Sequence, residues 1–313
     1  MPTKYPVQGA GHKHVLLLGE SETENAHWML DRLLKRLGLE RDQFYLTTVE
    51  HPALNKFIQD HGVKVVVPLG EVALAALLGE TDVMRWRGRP VEHQLPGVVI
   101  LPTLQPSKLL ARRAEEEEDD EGNIRKKKVL RNPPRFQGTF MRDLRVALQV
   151  AKDGFAREKP YYRGDVSIME WNRYVQAFKE ALAKDPTLWL SFDIETPYKL
   201  KTKDEGEIEE SERAKDGTIL RISFSYRPGT GISVPWEPLY MEGIRELLGS
   251  EARKVVWNGI TFDCPLIEGQ GVTVGGRVYD FMDGWHLFQS DLPKGLEFVT
   301  SYYTDIRPWK HLS

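Results

Sequence analysis

"WLSFDIETP", residues 189–197, alternates apolar and polar side chains up to two carboxylates one residue apart. Successive residues of a strand point to opposite faces, so Asp193 and Glu195 project together while Phe192 and Ile194 turn into packing. Two like charges side by side are costly unless a cation lies between them. Hard carboxylate oxygens select magnesium or manganese over zinc, which prefers nitrogen and sulfur. A bare Asp-x-Glu is more often a structural pair than a metal site, so the neighbouring sequence has to decide.

Working outward, "SIMEWNRYVQAFKEALAKD" (167–185) has helical periodicity and leads into the carboxylate strand. After a charged excursion (199–217), "TILRISFSY" (218–226) reads as the hairpin partner and "GISVPW" (231–236) as the next strand. "YMEGIRELLG" (240–249) reads as a helix and "KVVWNG" (254–259) as a strand, with helices at 280–292 and 295–304. These elements predict a mixed sheet with helices packed on it. "VVWNGITFDCPLI" (255–267) then places Asn258 at a strand end and Asp263 at the start of a helical segment.

"DIET" followed by "NGITFDCPLI" resembles the first two motifs of the DEDD 3′–5′ exonucleases, in the version found in the proofreading domain of family A DNA polymerases. "VYDFMDGWHLFQSDLPKGLEFVTSYYTDIRPWK" (278–310) resembles the stretch that in such polymerases precedes the third motif. The resemblance implies an RNase H-like fold and two-metal hydrolysis of a terminal phosphodiester with Mg²⁺ or Mn²⁺. By analogy Asp193 bridges two ions, Glu195 holds one and orients its water, and Asp263 serves the second. Asn258 and Phe262 then lie beside the terminal nucleotide of a single-stranded 3′ end or primer-template.

One part of that pattern is missing. The family supplies a fourth carboxylate from Tyr-x-x-x-Asp on a later helix, but the residue four before Asp305 is Ser301, despite Tyr302 and Tyr303 nearby. Asp280, just before a helical run, reads as an N-cap rather than a ligand. Asp283 and Asp291 have no motif around them. The resemblance therefore implies an N-terminal piece of a longer polymerase chain with three of four metal ligands.

The first half has a different rhythm. "HVLLLGE" (14–20), "VKVVVPLG" (63–70) and "GVVILPT" (97–103) read as buried strands. Between and after them, 25–39, 71–79 and 138–151 read as helices, the alternation of a parallel α/β/α sheet. The blocks "HVLLLGESETEN", "VVVPLGEVALAALLG" and "RGRPVEHQLPGVVILPTLQPSKLL" resemble the uracil-DNA glycosylase superfamily, which some viral family A polymerases carry ahead of the exonuclease. The positions that would excise a base differ: Gly19-Glu20-Ser21-Glu22 at the sugar loop, Thr47-Thr48 at the base pocket and Gln105-Pro106-Ser107 where a His-Pro-Ser loop is usual. Base excision needs a read base and a stabilised leaving group, so a catalytically degenerate, DNA-contacting domain is expected. Backbone N–H groups near Gly19 and Ser107 are candidate phosphate contacts. Arg85, Arg87 and Arg89, interleaved with Trp86, suit backbone contact and stacking.

"AEEEEDDEGNIRKKKVLR" (114–131) interrupts that domain with an acidic block and then a basic one, an exposed insertion in which Lys126 and Lys127 are candidate DNA contacts. The expected organisation is a glycosylase-like domain over 1–153, a linker over 154–165 and an exonuclease-like domain over 166–313. A single cysteine, Cys264, excludes an intrachain disulfide, and no apolar run reaches the roughly 20 residues of a membrane helix. The N-terminus has no apolar signal core, so a cytoplasmic location is expected, that of a bacterial host if the chain is viral. Two alternatives stay open: a non-catalytic DNA-binding accessory module, and an active uracil-DNA glycosylase fused to the exonuclease fold.

Overall fold

The computed structural model describes residues 14–25, 27–109, 113–118, 124–129, 135–197, 201–202, 208–209 and 217–308. The chain is a mixed α/β protein with two principal sheets, one mostly parallel and one mixed. It divides into two compact units, Met1–Arg157 with Asp291–Ser313, and Glu158–Ser290.

The first unit starts with β1 (Val15–Gly19), α1 (Glu22–Asn25), α2 (Trp28–Arg36), β2 (Tyr45–Thr48), α3 (Leu54–Asp60) and β3 (Val65–Pro68). It continues with α4 (Glu71–Leu78), α5 (Val83–Trp86), β4 (Val91–Glu92) and β5 (Val99–Ile100). The hairpin β6 (Arg113–Glu118) and β7 (Ile124–Val129) and the long helix α6 (Arg135–Asp153) follow. The sheet order is β2-β1-β3-β5-β4, parallel except for β4. Val15 through Leu18 are all fully buried, which a strand achieves only when both faces are covered. Leu16 and Leu18 pack with Phe57 and Ile58 of α3, while α6 lies against β1 and β3.

The charged insertion is not a plain loop. β6 and β7 pair antiparallel with Glu115 opposite Lys127, Glu116 opposite Lys126 and Glu117 opposite Arg125. Opposite charges directly across an antiparallel pair favour that register. The side chains of Lys126 and Lys127 lie outside the described part.

The second unit holds β8 (Tyr161–Arg163), α7 (Ile168–Lys184), β9 (Trp189–Glu195), the small pair β10 (Lys201–Thr202) and β11 (Ile208–Glu209), and β12 (Arg221–Ser225). β13 (Thr230–Pro235), α8 (Met241–Gly249), β14 (Arg253–Val256), α9 (Asp263–Gly269), β15 (Val278–Asp280) and α10 (Phe281–Phe288) complete it. The sheet order is β15-β14-β9-β12-β13-β8. β9, β12 and β13 form an antiparallel meander, and β14 and β15 run parallel to β9 on its other side. This is a mixed sheet with helices packed on it, as the sequence predicted. Ser167 and Glu170 form a capping box that starts α7. Trp171, Val175 and Phe178 of α7 and Ile244, Leu247 and Leu248 of α8 bury the inward residues Leu190, Phe192 and Ile194 of β9. The two helices approach closely because Gly243 meets Trp171 and Val175, where a Cβ would come within 2.5 Å of the indole.

Two boundaries differ from the sequence expectation. The stretch expected to be a linker supplies β8, which pairs parallel with β13 as the sixth strand. The last helix, α11 (Leu296–Tyr303), belongs to the first unit, although its sequence was expected to close the exonuclease-like domain. The reason is a set of buried arginine contacts. Arg87 is fully buried, donates to both carboxylate oxygens of Asp143 on α6, and donates to Ser301 Oγ at 2.7 Å. Arg89, also fully buried, donates to the carbonyls of Glu297 and Ile306 and to Thr300 Oγ1 at 3.1 Å. Gly88 between them has φ +70°, and a Cβ there would meet Asp143 Oδ1 at 2.6 Å.

Candidate functional site

β9 carries Asp193 and Glu195 to its C-terminal end with both residues exposed, while Phe192 and Ile194 are buried beneath them. Their partners across the antiparallel pair are Ser223 and Arg221. The Arg221 side chain turns instead toward β13 and the chain before α7, donating to the Ser233 carbonyl at 3.1 Å and pairing with Asp165 at 3.6 Å. The pair is thus presented on the sheet rather than sealed in the core.

Asp263 comes to the same strand end by a different route. β14 pairs with β9 only as far as Ser191, and beyond it the chain turns back into α9. Asp263, 4% exposed, begins that helix and accepts the N–H of Ile194 on Oδ1 at 3.0 Å. The third carboxylate is therefore fastened to the backbone between the other two. Burial and the nearby carboxylates Asp263, Glu268 and Asp280 push the Cys264 thiol up to about 11.

Asp280 sets the loop opposite. Its Oδ1 accepts the N–H of Asn258 at 2.9 Å and of Met282 at 3.0 Å, and its Oδ2 that of Ile260 at 3.2 Å. It caps α10 as expected from the sequence, and it also holds the 258–260 turn, which the sequence did not reveal. Asn258 sits in the left-handed region at φ 60°, a conformation Asn tolerates better than most residues. Its side-chain oxygen accepts from Thr261 Oγ1 at 2.9 Å. Phe262 is half-buried against the core of the unit, so it packs there.

The donor chemistry of Asp193, Glu195 and Asp263 fits a hard divalent cation. Their convergence is incomplete: among the described residues no group of three or more His, Cys, Asp or Glu side chains is disposed to hold a metal ion.

The arginine cluster expected to contact DNA is otherwise employed. Arg87 and Arg89 are buried inside the first unit and unavailable to a phosphate backbone, and Arg85 pairs with Glu297 at 3.2 Å. Burial works against the charge of Arg87, yet the Asp143 carboxylate more than offsets it and raises its pKa. Burial pushes Arg89 down to about 10, with Glu297 pulling upward and Arg87 and Arg85 pushing further down. An arginine triplet in sequence reads as a surface patch; only the acid on a distant helix marks it as interior. Tyr302, a near miss for the fourth-ligand motif, lies under the guanidinium of Arg142 at 4.5 Å and shares a hydrogen bond with Thr139. Asp305 lies 3.9 Å from Arg157.

At the strand ends of the first unit the loops close on themselves. Gln105 donates to Glu20 at 3.3 Å, and Asn25 donates to the Thr47 carbonyl at 2.8 Å. Gly19 is approached so closely by Asn25 that a Cβ would lie 2.0 Å from Oδ1, and Ser107 is half-buried in a short 3₁₀ turn, Pro106–Leu109. Thr47 and Thr48 are buried.

No family model matches the chain, and no curated protein does. Solved structures similar to it include an EXD2 exonuclease domain soaked in Mg and GMP, at 16% identity and a TM-score of 0.29 over 45% of this chain and 68% of that one. A nuclease in its apo form aligns at 14% identity and a TM-score of 0.32, over 49% of this chain and 64% of that one. At these values the fold rests on the strand order itself. No described helix is long and apolar enough to cross a membrane.

Proposed function

We propose that the second unit is a metal-dependent 3′–5′ exonuclease acting on single-stranded 3′ ends of DNA, in the manner of a proofreading domain of a family A DNA polymerase. The observation that supports this most is the tie between Asp263 and the N–H of Ile194, which sets a third carboxylate beside an exposed Asp193–Glu195 pair at the end of the central strand. In this reading Asp193, Glu195 and Asp263 hold Mg²⁺ or Mn²⁺, and the bound ions supply an activated water and neutralise charge at the phosphate. The protein's own part is positional. The hydrogen bond from Ile194 fixes the Asp263 carboxylate, Asp280 fixes the Asn258 turn, and the strand parity aims Asp193 and Glu195 at the same side. With no fourth carboxylate at hand and no closed cluster among the described residues, ion binding completes the site rather than finding it preformed.

The first unit, in the same proposal, is a glycosylase-like scaffold without base excision. Its strand-end crevice is filled by its own Glu20, Asn25 and Gln105 contacts. The chain as a whole would then be the front part of a viral-type polymerase, working in the cytoplasm of its host.

The test is direct. The chain is incubated with 5′-labelled single-stranded DNA and either Mg²⁺ or Mn²⁺, beside an Asp193→Asn/Glu195→Gln variant. Stepwise shortening from the 3′ end that needs the metal and vanishes in the variant is the expected result, with mispaired ends degraded faster than paired ones. Binding without shortening would replace the enzyme by a DNA-binding accessory module. Abasic sites formed in uracil-containing DNA would overturn the reading of the first unit.

A further inference from the structure

The first unit contains a cavity of ≈520 Å³ that no part of the nuclease reading uses. His51 lines it from the chain just before α3, Asn55 and Lys56 from the first turn of α3, and His93 and Gln94 from the chain just after β4. Leu77 on the last turn of α4 and Ile100 on β5 supply an apolar wall. It is separate from the strand-end crevice, because that crevice meets α4 at Gly70, the opposite end of the helix.

The two imidazoles are held alike. His51 Nδ1 accepts the N–H of Ala53 at 3.3 Å, and His93 Nδ1 accepts the N–H of Leu95 at 3.0 Å. A ring nitrogen facing an N–H must be the lone-pair nitrogen, so in both rings the proton sits on Nε2. In its neutral form each ring therefore offers Nε2–H as a donor. A ring whose Nε2 carries the proton is not a metal ligand until that proton leaves, so the pair is ill-suited to a metal.

The remaining polar groups agree. Lys56 adds an ammonium, and Asn55 and Gln94 add amide donors. The one carboxylate on the lining, Glu92, is already engaged by Arg307 and by Arg157 at 3.7 Å. Two ring N–H groups, two amides and one ammonium thus line one side of a cavity whose other side is apolar, and the volume lies in the range of sites for small organic ligands.

We propose that this cavity is a binding site for a phosphate monoester of nucleotide size. The phosphoryl oxygens accept from His51 Nε2–H, His93 Nε2–H and Lys56, and the organic part lies against Leu77 and Ile100.

The experiment uses the full chain in EDTA, so that divalent metal at Asp193 and Glu195 does not contribute. Calorimetric titration with dAMP is expected to show one site, weakened about tenfold or more in His93→Asn, His51→Asn and Lys56→Ala. Asn keeps an acceptor oxygen near the place of Nδ1 and removes only the Nε2–H, so the unliganded melting temperature should hold in the two His variants. Long-range ¹H–¹⁵N spectra of the rings should give the Nε2–H pattern for both residues and shift on adding dAMP. Absence of dAMP binding, or variants that bind as the parent does, would each overturn the proposal. So would an oligonucleotide without terminal phosphate that binds these residues when dAMP does not. None of these outcomes bears on shortening of 3′ ends, which tests the nuclease reading separately.

Discussion

The two units treat charge in opposite ways. In the first, Arg87 and Asp143 are both 0% exposed in their side chains and meet through two hydrogen bonds, with Thr103 and Ser301 satisfying what remains. In the second, Asp193 and Glu195 are exposed at a strand end, side by side. A buried ion pair with its hydrogen bonds complete fixes one arrangement of the chain but contributes little net stability over an apolar pair. An exposed like-charged pair adds little to stability by its mutual charge and is a natural candidate for a cation. The contrast separates the charges that place α11 from those that form the candidate site.

The sharpest way to break the first half of that contrast is to remove one partner. Asp143→Ala leaves the Arg87 guanidinium buried without its acid, and should cost about 3–5 kcal/mol in urea unfolding. Replacing both residues, Arg87→Met with Asp143→Leu, should recover most of that loss. A loss below about 1 kcal/mol in the single variant would mean that α11 is held by its apolar contacts instead.

For the exposed pair the effect should fall on activity. Asp193→Asn should reduce 3′-end hydrolysis about a hundredfold or more, since a metal-assisted step depends on several kcal/mol of charge stabilisation. Stability should change by no more than about 0.5 kcal/mol, as befits an exposed substitution. A variant that hydrolyses as the parent does would remove Asp193 from any mechanism.

The contrast also explains what the sequence could and could not reveal. β1, β3, β9 and β14 were legible because buried strands leave continuous or alternating apolar runs. The Asp-x-Glu and the Asp263 helix start were legible because strand parity and motif spacing are local. β8 and β15 are three-residue strands, too short to carry a period, and exist only by pairing with β13 and β14. β6 and β7 read as a solvated charge run because the complementarity between them appears only once the register is known. The periodicity of α11 showed that it buries one face, but not that this face meets Arg87 and Arg89. Amphipathicity says how much of a helix is covered, never by what. Asp280 was legible as a cap from its position before α10, whereas its grip on Asn258 and Ile260 depends on β15 lying next to β14.

A third charge tests the cost of burial without an acid partner. Lys254 on β14 is 0% exposed, and its ammonium donates to the carbonyl and hydroxyl of Ser250. Burial pushes its pKa down to about 8, with Glu251 pulling weakly the other way. The unfolded chain keeps this proton to about pH 10.4. Between about pH 8 and 10 the unfolded state therefore binds more protons than the folded one, and stability rises with pH through that window. Below pH 8 both states are charged and the folded state carries the full burial cost. The half-buried Cys264 thiol, shifted upward, works in the opposite direction at high pH. The informative quantity is thus the difference between the parent and Lys254→Met, which should narrow by about 2 kcal/mol from pH 8 to 10. A difference independent of pH would show that the ammonium reaches water.

The smallest effect separates two carboxylates of the same unit. Asp280 and Asp193 are both acids near the end of the sheet, but Asp280 spends its oxygens on three backbone N–H groups. If it serves only as cap and brace, Asn keeps one acceptor oxygen for the Asn258 and Met282 N–H groups and loses only the acceptor for Ile260. Asp280→Asn should then keep 3′-end hydrolysis within severalfold and cost less stability than Asp280→Ala, which should lose about 1 kcal/mol from the cap. If Asp280 were instead the missing fourth ligand, the order would invert: Asn would abolish hydrolysis as fully as Asp193→Asn does, with the melting temperature unmoved. Hydrolysis and thermal unfolding measured on the same three proteins decide between these outcomes. The left-handed Asn258 adds an internal check, since loss of its brace in Asp280→Ala should speed amide exchange at Asn258 and Ile260 before it affects β9.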